Sequence, residues 1–77
     1  MSPALPALKG REIIRALESA GFSIVRSKGS HRMLQSSGNP VRLVTVPDHG
    51  AKELKRGTLR AIIRQAGLSV DEFLELL

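Results

Sequence analysis

The chain has 77 residues, which is enough for one small domain and too few for two separate hydrophobic cores. It has no cysteine, which excludes disulfides, thiolate metal sites and thiol catalysis, and no apolar run approaches the roughly 18 residues of a membrane helix, so we expect a soluble, cytoplasmic protein. Residues 1–64 hold all twelve basic residues and four of the seven acidic ones, a net charge of +8 that favours a polyanionic partner.

The N-terminal part of the sequence predicts a tail followed by a helix. Pro3 and Pro6 indicate that residues 1–7 form an extended, flexible tail, which leaves residues 8–77 as the single domain. From Leu8 to Ala20 apolar residues recur every three or four positions, and charged residues fill most of the other side. This spacing is typical of an amphipathic helix.

The middle of the sequence predicts three short strands. Residues 22–26 form a short segment with β-branched side chains, and residues 31–36 form a second segment after a turn that contains serine and glycine. Residues 41–46 give the strongest strand pattern in the chain. Pro47 ends the third strand. Short strands joined by tight turns indicate an antiparallel meander.

The last third of the sequence returns to a helical pattern. Apolar residues recur at helical spacing from Leu59 to Ala66, and Gly67 caps this helix. A capping-box spacing opens a short helix that runs to Leu77. The predicted fold class is therefore α+β, in the order α-β-β-β-α with a small final helix. Helices cover one face of a three-stranded antiparallel sheet, and the other face is open.

The open face and the turns at its rim are the predicted functional surface. Its most informative segment is Lys28-Gly29-Ser30-His31-Arg32. It places an imidazole at the start of a strand between cations, and imidazole accepts or donates a proton near neutral pH. A phosphodiester would be drawn to Arg26, Lys28 and Arg32. RNA carries its own nucleophile, the 2′-hydroxyl, so one general base with cationic stabilisation suffices for cleavage, whereas DNA lacks that group.

Each candidate residue also has a simpler interpretation. His31 could be an exposed polar residue without a catalytic role. Arg56, Arg60 and Arg64 recur every four residues, which indicates either phosphate contact or a solvated helix face. Two histidines, His31 and His49, without cysteine or a carboxylate cluster make a thin set of metal ligands, so we expect no metal site.

Two functions other than RNA cleavage are open on the residues alone. A non-catalytic module could use the same basic surface to bind structured RNA, with His31 as a contact. The two C-terminal helices, joined at Gly67-Leu68-Ser69, also suggest the spacing of a helix-turn-helix DNA-binding motif. That alternative ranks last, because the second helix is acidic and would be repelled by phosphates.

Two stretches of the sequence carry a family resemblance. The first is Lys28-Gly29-Ser30-His31. The second begins with Val44-Thr45-Val46-Pro47, continues through His49 to Gly57-Thr58-Leu59-Arg60, and ends with Gln65-Ala66-Gly67-Leu68-Ser69. At this spacing and in so small a chain, they resemble the HicA-type toxins of bacterial toxin–antitoxin pairs. The resemblance covers nearly everything from Leu8 to Leu77, and the proline-rich tail is not part of the pattern.

The resemblance implies a fold like the double-stranded-RNA-binding domain and an mRNA endonuclease that acts without the ribosome. It also implies restraint by a HicB-type antitoxin that covers the active site. The catalytic histidine of the family falls on His31, and a second family histidine falls on His49. We therefore expect a metal-independent endoribonuclease without a cofactor, with His31 as general base or acid. The residues expected to bind RNA are Arg26, Lys28, Gly29, Ser30, Arg32, Arg56, Arg60 and Arg64.

Overall fold

The computed structural model describes residues 4–77 of the chain. Its elements are α1 (Gly10–Ser19), β1 (Phe22–Lys28), β2 (His31–Ser36), β3 (Leu43–Pro47), α2 (Arg56–Gln65) and α3 (Val70–Glu75). The strands form an antiparallel sheet in the order β1-β2-β3. This architecture confirms the predicted α+β class and the α-β-β-β-α order. Within residues 4–77, every helix is too short or too polar to cross a lipid bilayer.

The hydrophobic core lies between one face of the sheet and the three helices. The strands contribute Leu34, Val44 and Val46, each at most 1% exposed. From the helices, the core residues include Ile13, Leu17, Leu59, Ile62, Ile63 and Phe73. Because side chains alternate between the two faces of a strand, the neighbours of Leu34 and Val44 lie on the opposite face. The helices therefore cover one face and leave the other open, as predicted.

α1 begins two residues later than the helix predicted for residues 8–20. The Leu8 carbonyl accepts a hydrogen bond from the Leu54 backbone N–H at 2.8 Å, and Lys9 pairs with Glu53 in an isolated antiparallel bridge. Leu8 and Lys9 lie outside the helix because their backbone groups are used in a contact with a distant segment. The contact ties the chain that precedes α1 to the chain that follows β3.

The hairpin between β1 and β2 is tighter than predicted. Lys28 pairs with His31, which leaves Gly29 and Ser30 as a two-residue loop. Gly29 has a φ of +57°, a conformation that glycine adopts readily, and glycine at the first loop position is typical of a type II′ hairpin turn. β1 therefore extends beyond its predicted end at Arg26, whereas β2 begins and ends as predicted.

The last strand and the last helix differ from their predicted bounds at the ends. β3 begins two residues after the predicted start at residue 41 and includes Pro47, whose missing N–H is tolerated in an edge strand.

The predicted capping box of α3 is present: the Ser69 backbone N–H donates to the Glu72 carboxylate at 2.8 Å, and the Ser69 hydroxyl accepts from the Glu72 backbone N–H at 3.0 Å. The hydrogen bonds from the Ser69 backbone and side chain lower the pKa of Glu72. α3 ends at Glu75, before the predicted end at residue 77.

The predicted tail, residues 1–7, falls only partly within the described part of the chain, because residues 1–3 lie outside it. Leu5 is 4% exposed and belongs to the hydrophobic core. Its side chain therefore attaches this part of the segment to the domain. The division of the chain at residue 7 stays a prediction.

Candidate active site

His31 lies on the open face of the sheet, at the end where β2 begins. It is opposite Lys28 of β1 and Pro47 of β3, and its side chain is exposed. Leu34, three residues along the same strand, points into the core, so alternation directs His31 and Met33 to the uncovered face. The imidazole is therefore accessible to a polynucleotide and is not buried beneath the helices.

A β-bulge in β1 determines which of its side chains share a face with His31. Ile24 pairs with the buried Leu34, but Arg26, two residues later, pairs with Met33 on the open face. The register shift between Ile24 and Arg26 inserts one extra residue, which reverses the alternation of all residues beyond it. The bulge therefore turns Arg26, and with it Lys28, towards the same side of the sheet as the imidazole.

The basic residues of β1 and the imidazole line one shallow depression in the open face. Its lining residues are Arg26, Lys28, His31, Met33 and Thr45. The two cations provide a positive potential beside the imidazole, and the other two lining residues, Met33 and Thr45, are uncharged. This arrangement suits an extended polyanion that lies across the sheet.

Arg32 lies apart from the depression, although we expected it beside the imidazole. As the next residue of β2 it is directed to the other face, where its guanidinium donates to the Gly29 carbonyl at 2.6 Å. The guanidinium also lies 4.0 Å from the Asp48 carboxylate. Arg32 thus connects the hairpin turn to the segment that follows β3, and its contact with RNA stays a prediction.

The Gly29–Ser30 turn contacts the segment that carries the second histidine. The Ser30 carbonyl accepts a hydrogen bond from the Asp48 backbone N–H at 2.6 Å, and the Ser30 hydroxyl lies 3.5 Å from Nε2 of His49. The ring centroids of His31 and His49 are 6.4 Å apart, with an interplanar angle of 78°. No role for His49 was predicted from the sequence, and its proximity to His31 is apparent only in the structure.

The backbone before His49 is packed closely against the start of α1. A side chain at Gly10 would overlap the carbonyl oxygen of Pro47 and the Cα of Asp48. Glycine is therefore required for this close approach, since a methyl group there would force the two segments apart. Together with the Ser30 contacts, the packing fixes the position of the segment on both sides.

The three arginines of α2 form a separate basic surface. Arg56, Arg60 and Arg64 are all exposed, but α2 belongs to the layer that covers the opposite face of the sheet. Arg60 and Arg64 line their own depression near the start of α3. The structure therefore does not bring the arginine stripe into the same depression as His31.

A third depression lies along the segment that connects β3 to α2. It is lined by Pro47, His49, Lys52, Glu53, Leu54, Lys55 and Thr58. Two lysines of this segment place further positive charge beside His49. In the part of the chain that the structure describes, no three histidine, cysteine, aspartate or glutamate residues are grouped closely enough to hold a metal ion.

Comparison with known proteins gives two matches. Residues 10–68 match the family described as the HicA toxin of bacterial toxin–antitoxin. A relative from Pseudomonas fluorescens (strain Pf0-1), named "Probable mRNA interferase HicA", is 36% identical over 61 residues, which cover 79% of this chain and 97% of the relative. The matched family region runs from the start of α1 to just beyond α2 and includes both histidines.

Proposed function

The chain belongs to the HicA family of toxins of bacterial toxin–antitoxin systems, and on this basis we propose that it is an endoribonuclease that cleaves mRNA, with His31 as general base. The observation that carries the proposal is the exposed imidazole of His31 in a depression that also contains Arg26 and Lys28. The relative named as an mRNA interferase supports the choice of substrate. Action on mRNA in a bacterium also supports a cytoplasmic location.

In the proposed reaction His31 removes the proton from a ribose 2′-hydroxyl. The 2′-oxygen then attacks the adjacent phosphorus as the bond from phosphorus to the 5′-oxygen breaks. The products are a 2′,3′-cyclic phosphate and, once the leaving oxygen has taken up a proton, a 5′-hydroxyl. Arg26 and Lys28 stabilise the negative charge that develops on the phosphoryl oxygens. Neither a metal ion nor a cofactor takes part in this scheme.

The remaining RNA contacts follow from the positions of the basic surfaces. Gly29 and Ser30 form the turn at the end of the sheet, where an RNA backbone can approach closely. RNA that leaves this turn passes Lys52 and Lys55 and reaches the arginines of α2, which bind its flanking phosphates. These contacts strengthen binding without sequence preference and weaken as the salt concentration rises.

The proposed protein partner is a HicB-type antitoxin that covers His31. An acidic partner surface would neutralise Arg26 and Lys28 and exclude RNA from the depression. Large apolar side chains are also exposed on or beside the sheet, each 51–56% accessible: Val25, Val41 and Leu43. Apolar contact with these residues would allow the complex to persist at salt concentrations that screen its ion pairs.

The proposal is tested by incubating the purified chain with end-labelled RNA in the presence of a chelator. We expect shorter fragments that carry a 5′-hydroxyl and a 2′,3′-cyclic phosphate, because the scheme uses the ribose hydroxyl and no metal ion. DNA of the same sequence is the control and should remain intact. A non-catalytic RNA-binding module would instead shift the mobility of the RNA without producing fragments. Activity lost in chelator and restored by a divalent ion would contradict the metal-independent scheme.

A further inference from the structure

We infer that His49 is the second catalytic residue of this site and protonates the 5′-oxygen that leaves when RNA is cleaved. The inference rests on the proposed endoribonuclease function and supplies the proton donor that the scheme with His31 alone lacks. It is carried by the position of the His49 ring, which the fold holds beside His31 although the two residues are far apart in the sequence.

The chemistry requires two groups on different sides of one phosphate. In an in-line displacement the attacking 2′-oxygen and the leaving 5′-oxygen lie on opposite sides of the phosphorus. A general acid or base acts through a hydrogen bond of about 2.6–3.2 Å to the atom whose proton it transfers. One imidazole therefore cannot serve both oxygens at the same moment.

The separation of the two rings matches this requirement. Their centroids lie 6.4 Å apart, which is too far for a direct hydrogen bond between the rings and close enough for each ring to contact a different oxygen of one phosphodiester. The two rings are nearly perpendicular, with an interplanar angle of 78°, so they do not stack face to face and close the space between them. Both side chains are exposed, so a phosphodiester can enter from solvent.

The fold positions His49 although it lies outside any helix or strand. The residue follows β3 directly, and its neighbour Asp48 donates a backbone hydrogen bond to the Ser30 carbonyl. The Ser30 hydroxyl lies 3.5 Å from Nε2 of His49 and limits the orientation of the ring. The close approach of Gly10 to the same backbone holds it from the side of α1.

Other polar groups near the site are poorer proton donors. In general, an ammonium group gives up a proton reluctantly at neutral pH, and a carboxylate has no proton to give there. The Ser30 hydroxyl is a weak acid. Imidazole is the side chain that holds a proton and releases it near neutral pH, and His49 is the imidazole beside His31.

The complete step balances without a further reactant. The proton of the 2′-hydroxyl moves to His31, and a bond forms between the 2′-oxygen and phosphorus. The bond between phosphorus and the 5′-oxygen breaks, and that oxygen takes a proton from His49. His31 finishes protonated and His49 neutral, and exchange with solvent restores both.

The test compares two RNA substrates that differ in one atom. One is ordinary RNA, and the other carries sulfur in place of the bridging 5′-oxygen at the cleaved position. A thiolate leaves without being protonated, so loss of a general acid matters little for this substrate. We expect His49→Ala and His49→Gln to cleave ordinary RNA about 10²–10⁴-fold more slowly than the wild type. On the sulfur substrate both variants should approach the wild-type rate.

His31→Ala is the matched control, because loss of the general base slows cleavage of both substrates. An equal loss on both substrates for the His49 variants would assign His49 to structure or to a different step and overturn the inference. Cleavage of ordinary RNA by these variants at the wild-type rate would also overturn it. The proposed function itself fails separately, if the wild-type protein cleaves neither substrate.

Discussion

Replacing His31 with alanine is expected to lower the rate of RNA cleavage by about 10²–10⁴-fold, the usual contribution of a general base. The side chain is exposed on the open face and is not part of the hydrophobic core, so its removal should change the free energy of unfolding by less than about 0.5 kcal/mol. Single-turnover cleavage of a labelled RNA and urea unfolding, measured on the same preparation, check both parts of this prediction.

Gln35→Ala provides the matched control for the His31 variant. Gln35 lies on the same face of the same strand, paired with Ser23 and Leu43, and away from the depression that contains His31. This variant should cleave RNA at the wild-type rate. If His31→Ala also retained the wild-type rate, the assignment of the general base would be wrong.

The largest expected effect on stability is that of Phe73→Ala, which should lower the free energy of unfolding by about 3–5 kcal/mol. Phe73 is completely buried and is the residue through which α3 enters the core. A helix of six residues is too short to be stable alone, so α3 depends on this packing. A domain of this length has a total stability of roughly 4–12 kcal/mol, so the variant should lose about a quarter of that stability or more.

Urea unfolding followed by circular dichroism measures the effect of Phe73→Ala. Leu77→Ala is the control, because Leu77 follows the same helix but is 55% exposed and should contribute less than about 0.5 kcal/mol. A loss below about 1 kcal/mol for Phe73→Ala would show that α3 is not held by its aromatic side chain.

The architecture was predictable because its elements have distinct local patterns. The apolar period of residues 8–20 and 59–66 indicated two helices, and glycine or proline marked most of the turns. The ends of elements were less predictable, since they depend on contacts with distant segments. Leu8 fits a helical pattern by itself, but its carbonyl is used by Leu54, more than forty positions away.

Which basic residues line the depression with His31 depends on the β-bulge in β1, and the sequence pattern does not reveal this bulge. Alternation from Phe22 would direct Arg26 to the covered face, and the bulge after Ile24 reverses this direction. Alternation alone places His31 and Arg32 on opposite faces, because adjacent residues of a strand point apart. The expected placement of Arg32 beside the imidazole did not take this rule into account.

The proximity of His49 to His31 was within reach of sequence reasoning but required the strand register. The predicted meander has one strand beginning at His31 and the next ending near Pro47, and antiparallel pairing of these ends would bring the two histidines together. The structure has this register, with His31 opposite Pro47. The distance between the rings and the contact with Ser30 depend on side-chain packing and were not predictable.

The central claim is that the imidazole of His31 moves the proton of a ribose hydroxyl. The most direct test is cleavage of an RNA in which a single 2′-deoxynucleotide replaces the ribonucleotide on the 5′ side of the cleaved bond. The account predicts that the protein binds this RNA and cuts it elsewhere as before, but leaves that bond intact because the nucleophile is missing. Cleavage of the substituted bond at the unmodified rate would contradict the account.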